Sequence, residues 1–165
     1  GEIEAAIGIE QLKKLKKIVK KKQQTAKILF SGLKNLKGLN LPVIEKNFTH
    51  SYYVFAMSIN TNIIKTKTSV IKNFLNEKGI KISNKYQNLH LLPIFQNKVA
   101  YDKNFPWILN TRKINYKKGI CPNAEYLHDK SFMGLNLCNF DYSDQDIKYI
   151  IKCFKSIWEK KVLFF

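Results

Sequence analysis

S-Y-Y-V-F-A-M-S-I-N, running from Ser51 to Asn60, crowds aromatic and branched side chains into one short segment. It is too short and too β-prone for a globular helix, and it reads as a central strand. Upstream, apolar residues recur at helical spacing through Ile3, Ile7, Leu12, Leu15, Ile18, Val19, Ala26, Leu29, Phe30 and Leu33, which predicts one long helix. Lys20 to Gln24 interrupts that stripe with polar residues, and Gly38 with Pro42 beyond it supplies the stop. Downstream, a second helix starts near Thr66 and Thr68, turns Val70, Ile71, Phe74 and Leu75 inward, and ends at Gly79, where glycine can take the left-handed cap. Ile80 to Ser83 reads as a short strand. Asp129 to Cys138 holds another, with Leu135 and Leu137 alternating against Asn136. In the final helix Ser143 is the cap, Asp146 stands in the capping-box place, and Ile147, Ile150, Ile151, Phe154 and Trp158 make one stripe.

Between Lys85 and Cys121 no period holds, although His90, Pro93, Phe95, Tyr101, Phe105, Pro106, Trp107 and Tyr116 all fall there. A long irregular segment this rich in aromatics is poorly suited to disorder, which places function in it. The order helix, strand, helix, strand, long loop, short helix, strand, helix predicts an α+β domain: a small, mostly antiparallel sheet with helices on one face. Residues 1–165 read as a single small domain, with a long helix over 1–38 and an α+β body over 39–165 that carries the irregular loop 85–121.

At 165 residues, 45% apolar and 13% aromatic, the chain can bury one real core. A net charge of +17 raises nucleic acid as a partner, but Arg112 is the one arginine among 29 basic residues, and arginine is the side chain that reads phosphates and bases bidentately. The lysines in K-K-L-K-K-I-V-K-K-K fill the positions between helical Leu and Ile, the pattern of a solvated helix face. The three cysteines, Cys121, Cys138 and Cys153, are odd in number and widely spaced, with no zinc-ligand pattern. Cys153 falls on the apolar face of the last helix. A reduced, cytoplasmic protein is expected, with no membrane span and no signal peptide. The chain opens directly on an amphipathic helix and reads as a fragment.

No self-sufficient catalytic constellation is present: no Gly-rich phosphate loop, no G-x-S-x-G, no H-E-x-x-H. His50 and His128 read as surface or packing residues. His90 differs because it lies in the aromatic loop with Lys85 and Tyr86 nearby. Ammonium, phenol and imidazole all hydrogen-bond to oxygen, so these three can converge on an anionic or hydroxyl-rich ligand.

E-I-E-A-A-I-G-I-E-Q-L-K-K-L, Glu2 to Leu15, resembles the long-helix motif of the DegT/DnrJ/StrS aminotransferases, in which A-A-I-G and Q-L recur at the same spacing. H-S-Y-Y-V-F, His50 to Phe55, resembles the strand that follows that helix, and L-N-E-K-G-I, Leu75 to Ile80, resembles the helix ending in L-x-x-x-G-I. C-P-N-A-E-Y-L, Cys121 to Leu127, resembles the P-x-A-E-x-L turn, and D-Y-S-D-Q-D-I resembles the final capped helix.

The resemblance implies the small carboxy-terminal domain of a type I, aspartate-aminotransferase-like enzyme using pyridoxal 5'-phosphate. It implies transfer of an amino group from an amino-acid donor, often glutamate, to a keto sugar on a nucleotide, for polysaccharide or glycoside biosynthesis, in a homodimer. The Schiff-base lysine, the acid at the pyridine nitrogen and the rest of the cofactor site are expected upstream of Gly1. The isolated chain is therefore expected to be inactive, with no catalytic and no cofactor-binding residue of its own. The family's H-Y-x-P-L-H motif lines the sugar side of its active site, and Lys85-Tyr86-Gln87-Asn88-Leu89-His90 stands in that place. Tyr86 and His90 match and are candidate substrate contacts. Lys85 replaces the common histidine, where a longer cation favours a different hydroxyl pattern or a phosphate, or else points to solvent. Two alternatives stay open: a sugar dehydratase of the same family, with histidine at the Schiff-base position, and a lysine-rich nucleic-acid-binding module.

Overall fold

Phe55, Met57 and Ile59 are buried while Val54, Ala56 and Ser58 between them are half-buried, the alternation of a strand that packs one face into a core. A computed structural model describes residues 1–83, 86–101, 104–112, 114–160 and 163. The elements in chain order are α1 (Glu2–Leu33), β1 (Leu39–Asn40), β2 (Val54–Ile59), α2 (Thr68–Glu77), β3 (Ile82–Ser83), α3 (Pro93–Asn97), α4 (Pro122–Tyr126), β4 (Phe132–Asn136) and α5 (Asp144–Trp158). The strands form one antiparallel sheet in the order β1-β2-β4-β3. The strand first read from sequence is thus interior, bonded to β1 on one side and β4 on the other.

Register fixes the two faces. Phe55 pairs with Leu135, Met57 with Met133, Ile59 with Leu39 and Leu135 with Ile82, so these side chains share the buried face. Helices supply the other half of that core: Ala26, Leu29 and Leu33 from α1, Ile71 and Leu75 from α2, and Ile147, Ile150, Cys153, Phe154, Ile157 and Trp158 from α5. Burying one such Leu, Ile or Phe side chain contributes about 1.5–3 kcal/mol. The helices α1 and α5 approach closely because Gly32 has no side chain; a Cβ there would lie 2.5 Å from Ile151 Cδ1. The α+β architecture with core helices against one face of a small antiparallel sheet is as the pattern predicted.

Several boundaries differ from the sequence reading, each for a local reason. Ser51 to Tyr53 are not strand: Tyr52 takes a φ of 53° and its N–H donates to His50 Nδ1 at 2.7 Å, which turns the chain before β2 begins. Residues Asp129 to Ser131 belong to a π-helical turn, Leu127–Ser131, in which Ser131 Oγ donates to the Ile59 carbonyl at 2.9 Å. Val70 is exposed, because α2 buries Thr68, Ile71, Lys72 and Leu75, and position 70 falls off that face. The polar stretch Lys20 to Gln24 does not interrupt α1. Lys22 is buried there and donates to the Phe140 carbonyl at 2.8 Å, with the Asp141 carboxylate at 3.4 Å. The two-residue β1 was not foreseen.

Candidate functional site

The irregular segment after β3 is held by a few internal bonds rather than by regular structure. Leu89–Leu91 forms a single tight turn, and Pro93 starts the short α3, where its missing N–H costs nothing. Gln96 Nε2 donates to the carbonyls of His90 at 2.6 Å and Tyr116 at 2.7 Å, tying both ends of the segment together. Trp107 Nε1 donates to Tyr116 Oη at 3.0 Å, and Phe95 packs against the Tyr116 ring at 5.3 Å and edge-on to Trp107 at 6.2 Å. Aromatic packing thus replaces a regular backbone ladder as the organising force.

Glu125, the acid of C-P-N-A-E-Y-L, anchors this segment. It is 7% exposed and accepts from Gly119 N–H at 2.8 and 2.9 Å, from Cys121 N–H at 3.3 Å, and from His90 Nε2 at 2.8 Å. Burial pushes its carboxyl up, but the Gly119 and Cys121 N–H groups and the His90 ring outweigh that and hold it below the usual carboxylate range. An ionised Glu125 accepts only, so the network assigns the proton to His90 Nε2 and leaves Nδ1 as an acceptor.

These contacts enclose a cavity of about 610 Å³, lined by Tyr86, His90, Phe95, Tyr116, His128 and Phe132 together with smaller or less polar neighbours. The volume lies in the range of small-ligand sites, about 300–1,000 Å³. Tyr86 stands at the rim, 59% exposed, with its ring edge-on to Phe132 at 5.8 Å. His90 is 8% exposed and lines the same cavity. Tyr86 and His90 are therefore brought together; Lys85 lies outside the described residues. His128, which the sequence reading treated as a packing residue, also lines the cavity and donates from Nδ1 to the Tyr86 carbonyl at 2.7 Å. Nothing local to His128 marks it, since its partner is 42 positions away. His50, by contrast, accepts from the Tyr52 backbone N–H at Nδ1 and packs at a tilt against the Tyr52 ring at 4.3 Å.

Among the described residues no three His, Cys, Asp or Glu side chains gather where a metal ion could be held, and no helix is long and apolar enough to cross a membrane.

The chain is 33% identical over 129 residues to an uncharacterized protein of Methanocaldococcus jannaschii, covering 78% of this chain and 30% of that one. It is 23% identical over 114 residues to the spore coat polysaccharide biosynthesis protein SpsC of Bacillus subtilis, covering 68% and 29%. Its fold matches that of an aminotransferase from Psychrobacter cryohalolentis with a TM-score of 0.71 at 19% identity, over 95% of this chain and 38% of that one. The chain therefore spans under a third of the length of these two sequence relatives. Helices α1 to α4, strands β1 to β3 and the turn that presents Glu125 fall in the stretch 1–131, and that stretch matches one family. The chain belongs to the DegT/DnrJ/EryC1/StrS aminotransferase family.

Proposed function

We propose that the chain is the carboxy-terminal part of an enzyme that moves an amino group from an amino-acid donor, glutamate, to a keto sugar carried on a nucleotide, for polysaccharide or glycoside synthesis in the cytoplasm. The observation that carries this reading is the family match over residues 1–131, which ends just beyond the cavity-forming turn. Residues 1–165 act as one small domain, α1 joins it to the cofactor-binding part, and the whole enzyme is a homodimer. Pyridoxal 5'-phosphate is the cofactor the family implies. The cavity does not fit as its anchor: among the described residues its lining holds no lysine for a Schiff base and no carboxylate for the pyridine nitrogen. The cofactor belongs mainly to residues outside this chain, which by itself has no transaminase activity.

The cavity suits the sugar. Tyr86 offers a hydroxyl, His90 an acceptor nitrogen fixed by Glu125, and Phe95, Tyr116 and Phe132 offer apolar walls, a combination that accommodates a ring with hydroxyl groups on its edges. Lys85, outside the described residues, joins them on the family motif's spacing alone. In the full-length enzyme Tyr86→Phe and His90→Ala each raise the sugar KM by roughly three- to tenfold, the worth of one neutral hydrogen bond. The half-reaction with the amino-acid donor alone stays as it is. An unchanged sugar KM and turnover in both variants would remove these residues from the site.

A further inference from the structure

A second cleft, of about 610 Å³, opens at the amino-terminal end of α2, where K-T-K-T-S spans residues 65–69. Helix starts leave N–H groups without intrahelical partners and carry partial positive charge. Here Lys67 occupies the cap position, no side chain caps the turn, and no acid lies in the first turn. The positive end of α2 is thus flanked by a further cation instead of the usual oxygen ligand.

Lys72, one turn into α2, lines the same cleft. It is only 8% exposed, and among the described residues its ammonium makes no hydrogen bond or ion pair. Burial pushes it below the usual lysine range, as desolvation of an unpaired ammonium must. Its aliphatic stem is packed away while its unpartnered ammonium still reaches the cleft, so an anion that enters there meets a positive charge no protein group has neutralised. Lys65, Lys67 and Lys130 add exposed ammonium groups around the opening, and Ser69 adds a hydroxyl. Asp129 also lines the cleft, but its carboxylate is engaged by Lys118 at 2.7 Å. The Thr68 hydroxyl is likewise committed, donating to the Lys130 carbonyl.

We propose that this cleft binds a phosphoryl group, held by the Lys72 ammonium and the Thr68 and Ser69 N–H groups at the start of α2, with Lys65, Lys67 and Lys130 around it. A tetrahedral oxyanion with several acceptor oxygens is the ligand such a cluster of donors recognises. The cleft is distinct from the aromatic cavity but adjacent to it, because His128 lines both.

The experiment is a titration of the 165-residue chain with sodium phosphate, followed by amide NMR shifts at constant ionic strength held with sodium chloride. Saturable shifts are expected at Thr68 and Ser69. Lys72→Met, which keeps the aliphatic bulk, weakens binding by about tenfold or more, the worth of one charge-assisted bond. Its melting temperature stays the same or rises, because the unpaired charge is gone. Lys148→Met, on the exposed face of α5, changes neither value. Non-saturable shifts, or equal losses in the Lys72 and Lys148 variants, would overturn the proposal, since either marks general attraction to a basic chain. Uridine diphosphate in parallel separates the sources: tighter binding than inorganic phosphate, with shifts extending to His128, identifies a nucleotide's diphosphate, and equal or weaker binding identifies free phosphate. Neither arm depends on transaminase activity, so failure here leaves the proposed function standing, and the reverse.

Discussion

Glu125 gathers three donors from two separate parts of the chain, and its protonation state is tied to the fold. Its carboxyl is held below the unfolded range near about 4.3, so it contributes stability that is present above that pH and lost as pH falls through the lower folded value. Glu125→Gln removes that contribution. Urea midpoints taken at pH 6 and pH 3.5 should show the variant less stable at pH 6 and less sensitive to acid than the parent. Parallel pH profiles would mean the carboxylate is not what holds the turn. At this scale the sequence was only partly readable. Tyr86 and His90 could be singled out as candidates because they keep a motif's spacing. The role of Glu125 and of His128 depends on partners 35 and 42 positions away, and no local pattern encodes such pairings.

Helix α5 is where local chemistry and tertiary packing agree most closely. Ser143 Oγ accepts from Asp146 N–H at 3.2 Å, while Ser143 N–H donates to Asp146 Oδ2 at 2.8 Å, closing the capping box. Ser143→Ala should cost about 1 kcal/mol in denaturant unfolding, with the site unaltered, and a loss under a few tenths would show the helix start fixed by packing alone. This element was legible because both its cap and its apolar period lie within its own residues. The two-residue β1 was not, because Leu39 and Asn40 are strand only by virtue of Ile59 and Ser58 beside them. The same reasoning covers Lys22. Its place in α1 looks like one more solvated lysine, and only the carbonyl of Phe140, 118 positions on, makes it a buried tether.

Over the whole molecule, apolar surface is unevenly covered. Ile7, Leu15 and Ile18 continue the helical face on which Ala26, Leu29 and Leu33 are buried, yet all three are exposed. A continuous apolar stripe of that length favours association. The chain is expected to sediment as more than a monomer at micromolar concentration. Ile7→Glu with Leu15→Glu should return it to a monomer without changing its melting temperature, because neither side chain is in the core. A monomeric parent chain, or a doubly substituted chain that still associates, would count against the stripe. Charge alone, prominent in the composition, says little at this scale: most lysines of α1 are exposed, and the informative lysines are the two that are buried among the described residues, Lys22 and Lys72.

The anchoring of α1 also has a mechanical side. Its buried residues begin at Lys22, so the first twenty or so residues extend beyond the body as an arm of roughly 30 Å at 1.5 Å per residue. Two fasteners set the direction of that arm: the Lys22 bond to Phe140 and the close seat of Gly32 against Ile151. A tilt of about 10° at these fasteners moves the tip by about 5 Å on that length. Whatever grips the arm therefore senses small shifts of α5, and small displacements imposed at the tip return to the sheet with leverage.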